Sequence, residues 1–317
     1  MVGIILLLFI CVGHGSTDFD TLLLGGFTKD SSYSKSLEVV KLDTTCKPNM
    51  IELPVGRNGA FVTLYGSKIF YCGGYNDETQ TSFHRTCHSY LLGNSDTWIE
   101  EPSMQVARRF AGMSVFGKTI YVSGGTNGLS KSGTLNSVES YFEGRGWKVE
   151  ERLELPTVRE RHCSVIMGTN LILIGGYPSL NSESVISIDL INMASTWQDL
   201  EGMNIARYNH ACQMGELDGL SGVFVSGGAD IFGPGGISSV EFYVAELNHW
   251  QNLGDMKAPR SLHSLSLSNG LLVAAGGTPT LQSVEIFNGT EWVSSNDLIT
   301  GRQAHAAVSV PAGIITC

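Results

Sequence analysis

The sequence predicts an all-β protein built from six repeats, and three recurrences predict it. Gly-Gly pairs closing a short apolar run fall at Gly25-Gly26, Gly73-Gly74, Gly124-Gly125, Gly175-Gly176, Gly227-Gly228 and Gly276-Gly277, with first glycines 48, 51, 51, 52 and 49 residues apart. Arg57, Arg108, Arg159, Arg207 and Arg260 precede their pairs by 16, 16, 16, 20 and 16 residues, and Arg302 is the sixth. Trp98, Trp147, Trp197, Trp250 and Trp292 stand 10, 12, 10, 10 and 10 residues before the next arginine. A β-branched run closed by glycine is a strand reaching a turn that needs positive φ. The 38 glycines are spread along the chain, as many turns between short strands require.

Each repeat is read in order. The strand that ends at Gly-Gly is TLLL, IFYC, IYVS, LILI, VFVS or LVAA. The next strand carries Glu38, Glu139, Glu241 or Glu285, while His88 and Ile186 take that place in repeats two and four. A strand follows each tryptophan. Another follows each arginine, with Ala60, Ala111, His162, His210, His263 or His305 three residues on. These residues resemble the Kelch repeat family. The resemblance implies that each repeat of about 50 residues forms one four-stranded propeller blade. The expected fold is therefore an all-β, six-bladed Kelch-type β-propeller.

With the strands lettered a to d outward, a follows the arginine, b ends at Gly-Gly, c carries the glutamate and d follows the tryptophan. The N-terminus starts at strand b and the C-terminus supplies a strand a, so the C-terminal strand joins the N-terminal blade and closes the ring without an open sheet edge. The expected repeats are roughly 20–56, 57–107, 108–158, 159–206, 207–259 and 260–301, with a closing strand at 302–310, in one domain over 16–317. Residues 311–317 resemble the start of another strand b, a slot that residues 21–26 already fill.

Residues 1–15 read as a signal peptide, with an apolar stretch from Ile4 to Gly13 and small residues at Gly13 and Gly15. That stretch is too short to span a membrane. A secreted chain without a membrane span is expected, acting as a monomer. Cys11 lies in this segment. Of the six remaining cysteines, Cys72 and Cys87 are placed to face each other across a hairpin. Cys46 lies in the first blade, where the tail carrying Cys317 must arrive. Cys163 and Cys212 fall near the inner strands of neighbouring blades, one residue out of register, and no pairing is assigned to them. Asn288-Gly289-Thr290 is a glycosylation sequon in an exposed turn.

Net charge −10 argues against nucleic acid as a partner. No CxxC, G-x-S-x-G, H-E-x-x-H or phosphate-loop pattern occurs. No cofactor and no metal are expected, because Ala60 and Ala111 interrupt the ring of histidines. Function is expected on the face carrying the b–c loops and the d–a connections. There Arg57, Arg108, Arg159, Arg207, Arg260 and Arg302, with extras at Arg109 and Arg161, read as a positive funnel for a protein or acidic peptide ligand. Internal pairing of these arginines is the alternative. The longest b–c loops, at 75–85, 126–133 and 229–236, add Tyr75, Phe83, His84, Arg85 and Phe232 as exposed candidates. The competing function is a sugar or small-molecule enzyme, similar to a mutarotase, with a carboxylate and a basic residue at the central pore.

Overall fold

The computed structural model describes residues 18–77, 82–93, 95–178, 182–230 and 236–317; the expected signal peptide at 1–15 and Phe232 lie outside them. Antiparallel sheets of four strands form six blades. Their inner strands a are Ala306–Pro311, Phe61–Tyr65, Gly112–Phe116, Cys163–Met167, Ala211–Leu217 and Ser264–Ser268 for blades 1 to 6. Strands b and c alternate with them in register, as where Glu139 on c of blade 3 lies opposite Val122 on b.

Ring closure follows the expected scheme. Ala306–Pro311 pairs with Phe19–Leu24, strand b of blade 1, in an antiparallel ladder from Phe19 opposite Pro311 to Leu24 opposite Ala306. The closing strand also lies beside the inner strands of blades 2 and 6. The tail beyond it is packed down. Ile315 is buried in the first blade's core, and the Asn49 amide donates to the Thr316 carbonyl at 2.7 Å.

Apolar side chains fill the spaces between neighbouring blades, as where Phe61, Phe70 and Cys72 of blade 2 pack with Ile120, Val122, Tyr141 and Trp147 of blade 3. The tryptophans also bridge blades by hydrogen bonds. The indole N–H groups of Trp98, Trp147, Trp197 and Trp250 donate to the carbonyls of Ile51, Pro102, Glu154 and Glu201, each on the preceding blade side, at 2.8–3.1 Å. A largely buried indole thus fills the outer gap and satisfies its donor in one stroke.

Three disulfides are present. Cys72 and Cys87 are opposite one another in the b–c pairing of blade 2. Cys46–Cys317 ties the tail to blade 1 across 271 residues of sequence. The third, Cys163–Cys212, joins the two cysteines to which the spacing assigned no partner. Inner strands converge toward the propeller axis, so a one-residue offset still leaves their Cα atoms 6.1 Å apart, within disulfide reach.

Candidate functional site

The six recurrent arginines are the first correction to the sequence reading. Arg57, Arg108, Arg159, Arg207, Arg260 and Arg302 are only 0–2% exposed, so they form no solvent-facing ring. Each guanidinium turns inward along its own blade. Arg108 donates to the carbonyls of Gly124 and Ser137, to the Ser137 hydroxyl, and to Glu139 at 2.6 Å. Arg207 does the same with Gly227, Ser239 and Glu241, Arg260 with Gly276, Ser283 and Glu285, and Arg302 with Gly25, Ser36 and Glu38. The glutamate in turn accepts two backbone N–H groups from the incoming d–a connection, as Glu139 does from Gln105 and Val106. The arginine's own carbonyl accepts the N–H of the second glycine of the preceding blade, Gly125 donating to Arg159 at 2.8 Å. A side chain at Gly124, where φ is +57°, would collide with that same carbonyl.

Two residues beyond each arginine, the chain reaches the axis. Gly59, Phe110, Arg161, Asn209, Leu262 and Ala304 all have φ between +49° and +61°. The N–H of each donates to the carbonyl of the one before it, from Gly59 to Ala304 and on around to Gly59 again, closing a ring of six bonds of 2.8–3.1 Å. Just inside stand Ala60, Ala111, His162, His210, His263 and His305, around a cavity of about 180 Å3. Burial pushes the pKa of His210 and His305 down to about 3, and those of His162 and His263 well below the ordinary value, so all four imidazoles are neutral. Three of them meet the hydroxyls of Ser123, Ser226 and Ser264. Among the described residues no carboxylate lines this cavity. Among the described residues no group of three or more His, Cys, Asp or Glu side chains is placed to hold a metal.

The accessible chemistry lies off the axis, on the same face, over blades 2 to 4. Arg109, one residue past the buried Arg108, is surrounded by the rings of Tyr75, Phe83 and Phe110 at 5.0, 5.3 and 5.0 Å. Arg161 lies 4.0 Å from the Phe110 centroid. Such stacking holds a guanidinium in place while leaving its N–H edge for other partners. Phe110 adopts a left-handed conformation unusual for a bulky residue, and Gly59 makes room for its ring. Glu160 lies between the arginines, 8% exposed, with Oε1 3.5 Å from Arg161 Nε. Burial raises its pKa, against the opposing pull of Arg161, Arg109 and the Thr126 hydroxyl. Together with Tyr177, Tyr208 and Asn209, these residues line a cleft of about 440 Å3 between blades 3 and 4, with the 76%-exposed Leu129 at its rim.

Of the loop residues expected to bind, Tyr75 and Phe83 join this aromatic cage, and Arg85 is exposed on the same b–c connection. His84 is half-buried, its pKa pushed down to about 4 by burial first and by Arg57. Asn288 is exposed in the c–d turn of blade 6, its side-chain oxygen accepting from the Thr290 hydroxyl and amide. Glu160 was missed by the sequence reading. It stands one residue after Arg159, where the other blades carry Asn58, Arg109, Tyr208, Ser261 and Gln303, so its only signal was a departure from the repeat.

Six blades, one of them built from both ends of the chain, and a hydrogen-bonded ring of left-handed residues define a β-propeller. The Kelch motif matches residues 107–141, the span from Arg108 through Glu139. Alpha-scruin of Limulus polyphemus is 24% identical over 83% of this chain and 30% of its own length. Kelch-like protein 40 of Xenopus tropicalis is 26% identical over 83% of the chain and 43% of its own, and human Kelch-like protein 25 is 25% identical over 85% and 45%. The chain carries a Kelch motif and is similar to Kelch-repeat proteins over most of its length, and it spans less than half the length of these relatives. Kelch-repeat proteins generally mediate protein–protein interaction. Among the described residues no helix is long and apolar enough to cross a membrane.

Proposed function

We propose that this propeller is a secreted binding module that engages a protein partner, or an acidic peptide segment of one, through the b–c loop face over blades 2 to 4. The observation that carries the reading is the cage of Tyr75, Phe83 and Phe110 around Arg109, continued by Arg161, which also stacks on Phe110. Stacked arginines and aromatics that are partly exposed and rigidly held are what the energetic centres of interfaces are made of. The anion preference first assigned to the six recurrent arginines passes to Arg109, Arg161 and Arg85. Export is supported by the apolar segment at Ile4 to Gly13 and by the three disulfides, which an oxidising compartment favours. An exposed sequon at Asn288 fits glycosylation on that route, and a ring without open sheet edges fits a monomer.

The test is affinity capture from the extracellular fraction with the wild-type chain and the Arg109→Ala/Arg161→Ala variant. A control, Met193→Ser/Leu247→Ser, alters exposed c–d positions on the opposite face. Partners should be lost with the first variant and kept with the control; equal recovery from both sinks the reading. Intact mass of the secreted chain reads signal removal and the glycan together.

A second reading draws on Glu160, a buried carboxylate of raised pKa beside two arginines. That pairing suits proton transfer on a small sugar acid. It moves the enzymatic alternative from the pore to the neighbouring cleft. Exchange between the anomers of N-acetylneuraminate, followed by proton NMR with and without the protein, decides it: an unchanged rate removes the enzyme.

A further inference from the structure

The cleft between blades 3 and 4 is not a uniformly positive surface, and its composition constrains what enters. Two guanidiniums and one carboxylate share it. Arg161 is committed on one side, donating to the Asn209 side-chain oxygen at 2.8 Å and meeting Glu160 at 3.5 Å. Arg109 is fixed by its three rings, and its Nε forms no hydrogen bond. On Glu160 the second oxygen, Oε2, is buried and completes no hydrogen bond within the chain, since the nearby Thr126 hydroxyl donates to the Gly128 carbonyl at 3.0 Å. A buried carboxylate oxygen without a donor is costly, and the cleft is the side from which a donor can come. A simple anion such as phosphate would use the arginines but face the carboxylate with no donor to offer. A cation would use Glu160 and be repelled by both arginines. The chemistry that satisfies all three carries a negative group and an N–H donor a few ångströms apart. Leu129 at the rim adds an apolar contact for the flanking chain.

We propose that this cleft receives an acidic side chain of a partner protein together with the backbone N–H beside it, Arg109 and Arg161 meeting the carboxylate and Glu160 accepting the N–H. The inference rests on the face reading above and adds the ligand's chemistry to it. It distinguishes this site from a general polyanion surface, for which Glu160 would be a liability.

Three small probes, with free glucuronate as a fourth for comparison, test it on the full chain by ligand-observed NMR at neutral pH. N-acetylglutamate N-methylamide carries both groups, N,N-dimethylglutaramate carries the carboxylate without an N–H, and N-acetylglutamine N-methylamide carries the N–H groups without charge. The first should bind at least tenfold more tightly than either of the others, and Arg161→Gln should remove that binding. Glu160→Met should erase the preference over the N–H-free probe. Should that variant melt early, Glu160→Gln, which keeps the shape, should reduce the preference severalfold. Equal affinity for the first two probes overturns the role of Glu160. Binding unchanged in Arg161→Gln overturns the site. Tighter binding of free glucuronate than of the glutamyl probe overturns a protein as the source of the ligand. If the probes fail while partner capture still depends on Arg109 and Arg161, the cleft chemistry is wrong and the face stands; if capture is insensitive as well, both fall.

Discussion

Blades 1, 3, 5 and 6 hold their buried arginine against a buried glutamate, and blades 2 and 4 do not. In the first group the pair is fully desolvated, as for Arg207–Glu241 and Arg108–Glu139 at 2.6 Å. In the second, His88 and Ile186 occupy the carboxylate position, and Arg57 and Arg159 bond only carbonyls and a hydroxyl of Thr86 or Ser184. The reason lies three residues before each arginine. Where a glutamate is present, that residue is Gln105, Asn204, Lys257 or Ile299, and its N–H donates to the glutamate. Where the glutamate is missing, the residue is Pro54 or Pro156, which has no N–H to give. The acceptor and the donor it serves come and go together. Carboxylates remain one strand further out, Glu100 opposite His88 and Asp199 opposite Ile186, both exposed to solvent. Blade 2 has two further supports, the Tyr71 ring 5.8 Å from the Arg57 guanidinium and the Cys72–Cys87 bond beside His88. The contrast teaches that the conserved-looking arginine is a clamp across strands b and c, and the glutamate is an optional second clamp on the d–a connection.

The largest effect should separate the two groups. Arg207→Met strands Glu241 as an unpaired buried charge and should cost about 3–5 kcal/mol. Arg159→Met removes a lone buried cation whose pKa burial already draws down to about 10, and leaves only neutral acceptors unfilled. Its cost should be nearer 1–3 kcal/mol. Urea denaturation measures both, and equal losses would break the comparison. Next, removing the staple of blade 2 by Cys72→Ala/Cys87→Ala frees a loop of 15 residues in the unfolded chain. The chain-entropy estimate for a loop of that length is about 3 kcal/mol. A melting temperature unmoved by the change would show that blade 2 needs no substitute for its missing glutamate.

A smaller effect sharpens the pairing rule. Ile186→Glu alone places a carboxylate beside Arg159 without the donor it needs. Ile186→Glu with Pro156→Gln should recover roughly 0.5–3 kcal/mol relative to the sum of the single changes, read from a double-mutant cycle. Additive costs would mean that the proline and the missing glutamate coincide by accident. A separate test, read as a slope against pH, concerns the blades with a histidine at the axis. Their imidazoles titrate near 6.5 when unfolded and, for His210 and His305, near 3 when folded, so the unfolded chain binds more protons between those values. Stability should fall as pH drops below about 6.5, by about 1.4 kcal/mol per pH unit for each histidine. His210→Ala/His305→Ala should flatten that slope by two protons, and an unchanged slope would place the acid sensitivity elsewhere.

Much of the frame was legible beforehand because a repeat multiplies its signal. Gly-Gly, Trp and Arg in register across six units specify strand ends, outer gaps and inner strands, and the positions of the termini specify the closing pair. The candidate site was legible only in part. Arg109 and Arg161 stood out as additions to the recurrent set, and Tyr75 and Phe83 as aromatics on a long loop. Glu160 carried no signal beyond differing from its counterparts, and residues that belong to a site by breaking a repeat are hard to tell from ordinary drift.

By itself the sequence determined the six-fold repetition, the order of strands in each blade and the strand that closes the ring, since these depend on spacing along the chain. The tertiary structure alone decided which way each side chain points. It turned the six arginines inward to bond carbonyls and glutamates, because a guanidinium beside desolvated acceptors is better satisfied there than at the surface. It joined Cys163 to Cys212 across converging strands. It also gathered Arg109, Glu160 and Arg161 from two blades into one cleft, a proximity that residues about 50 positions apart acquire only when neighbouring blades meet at the axis.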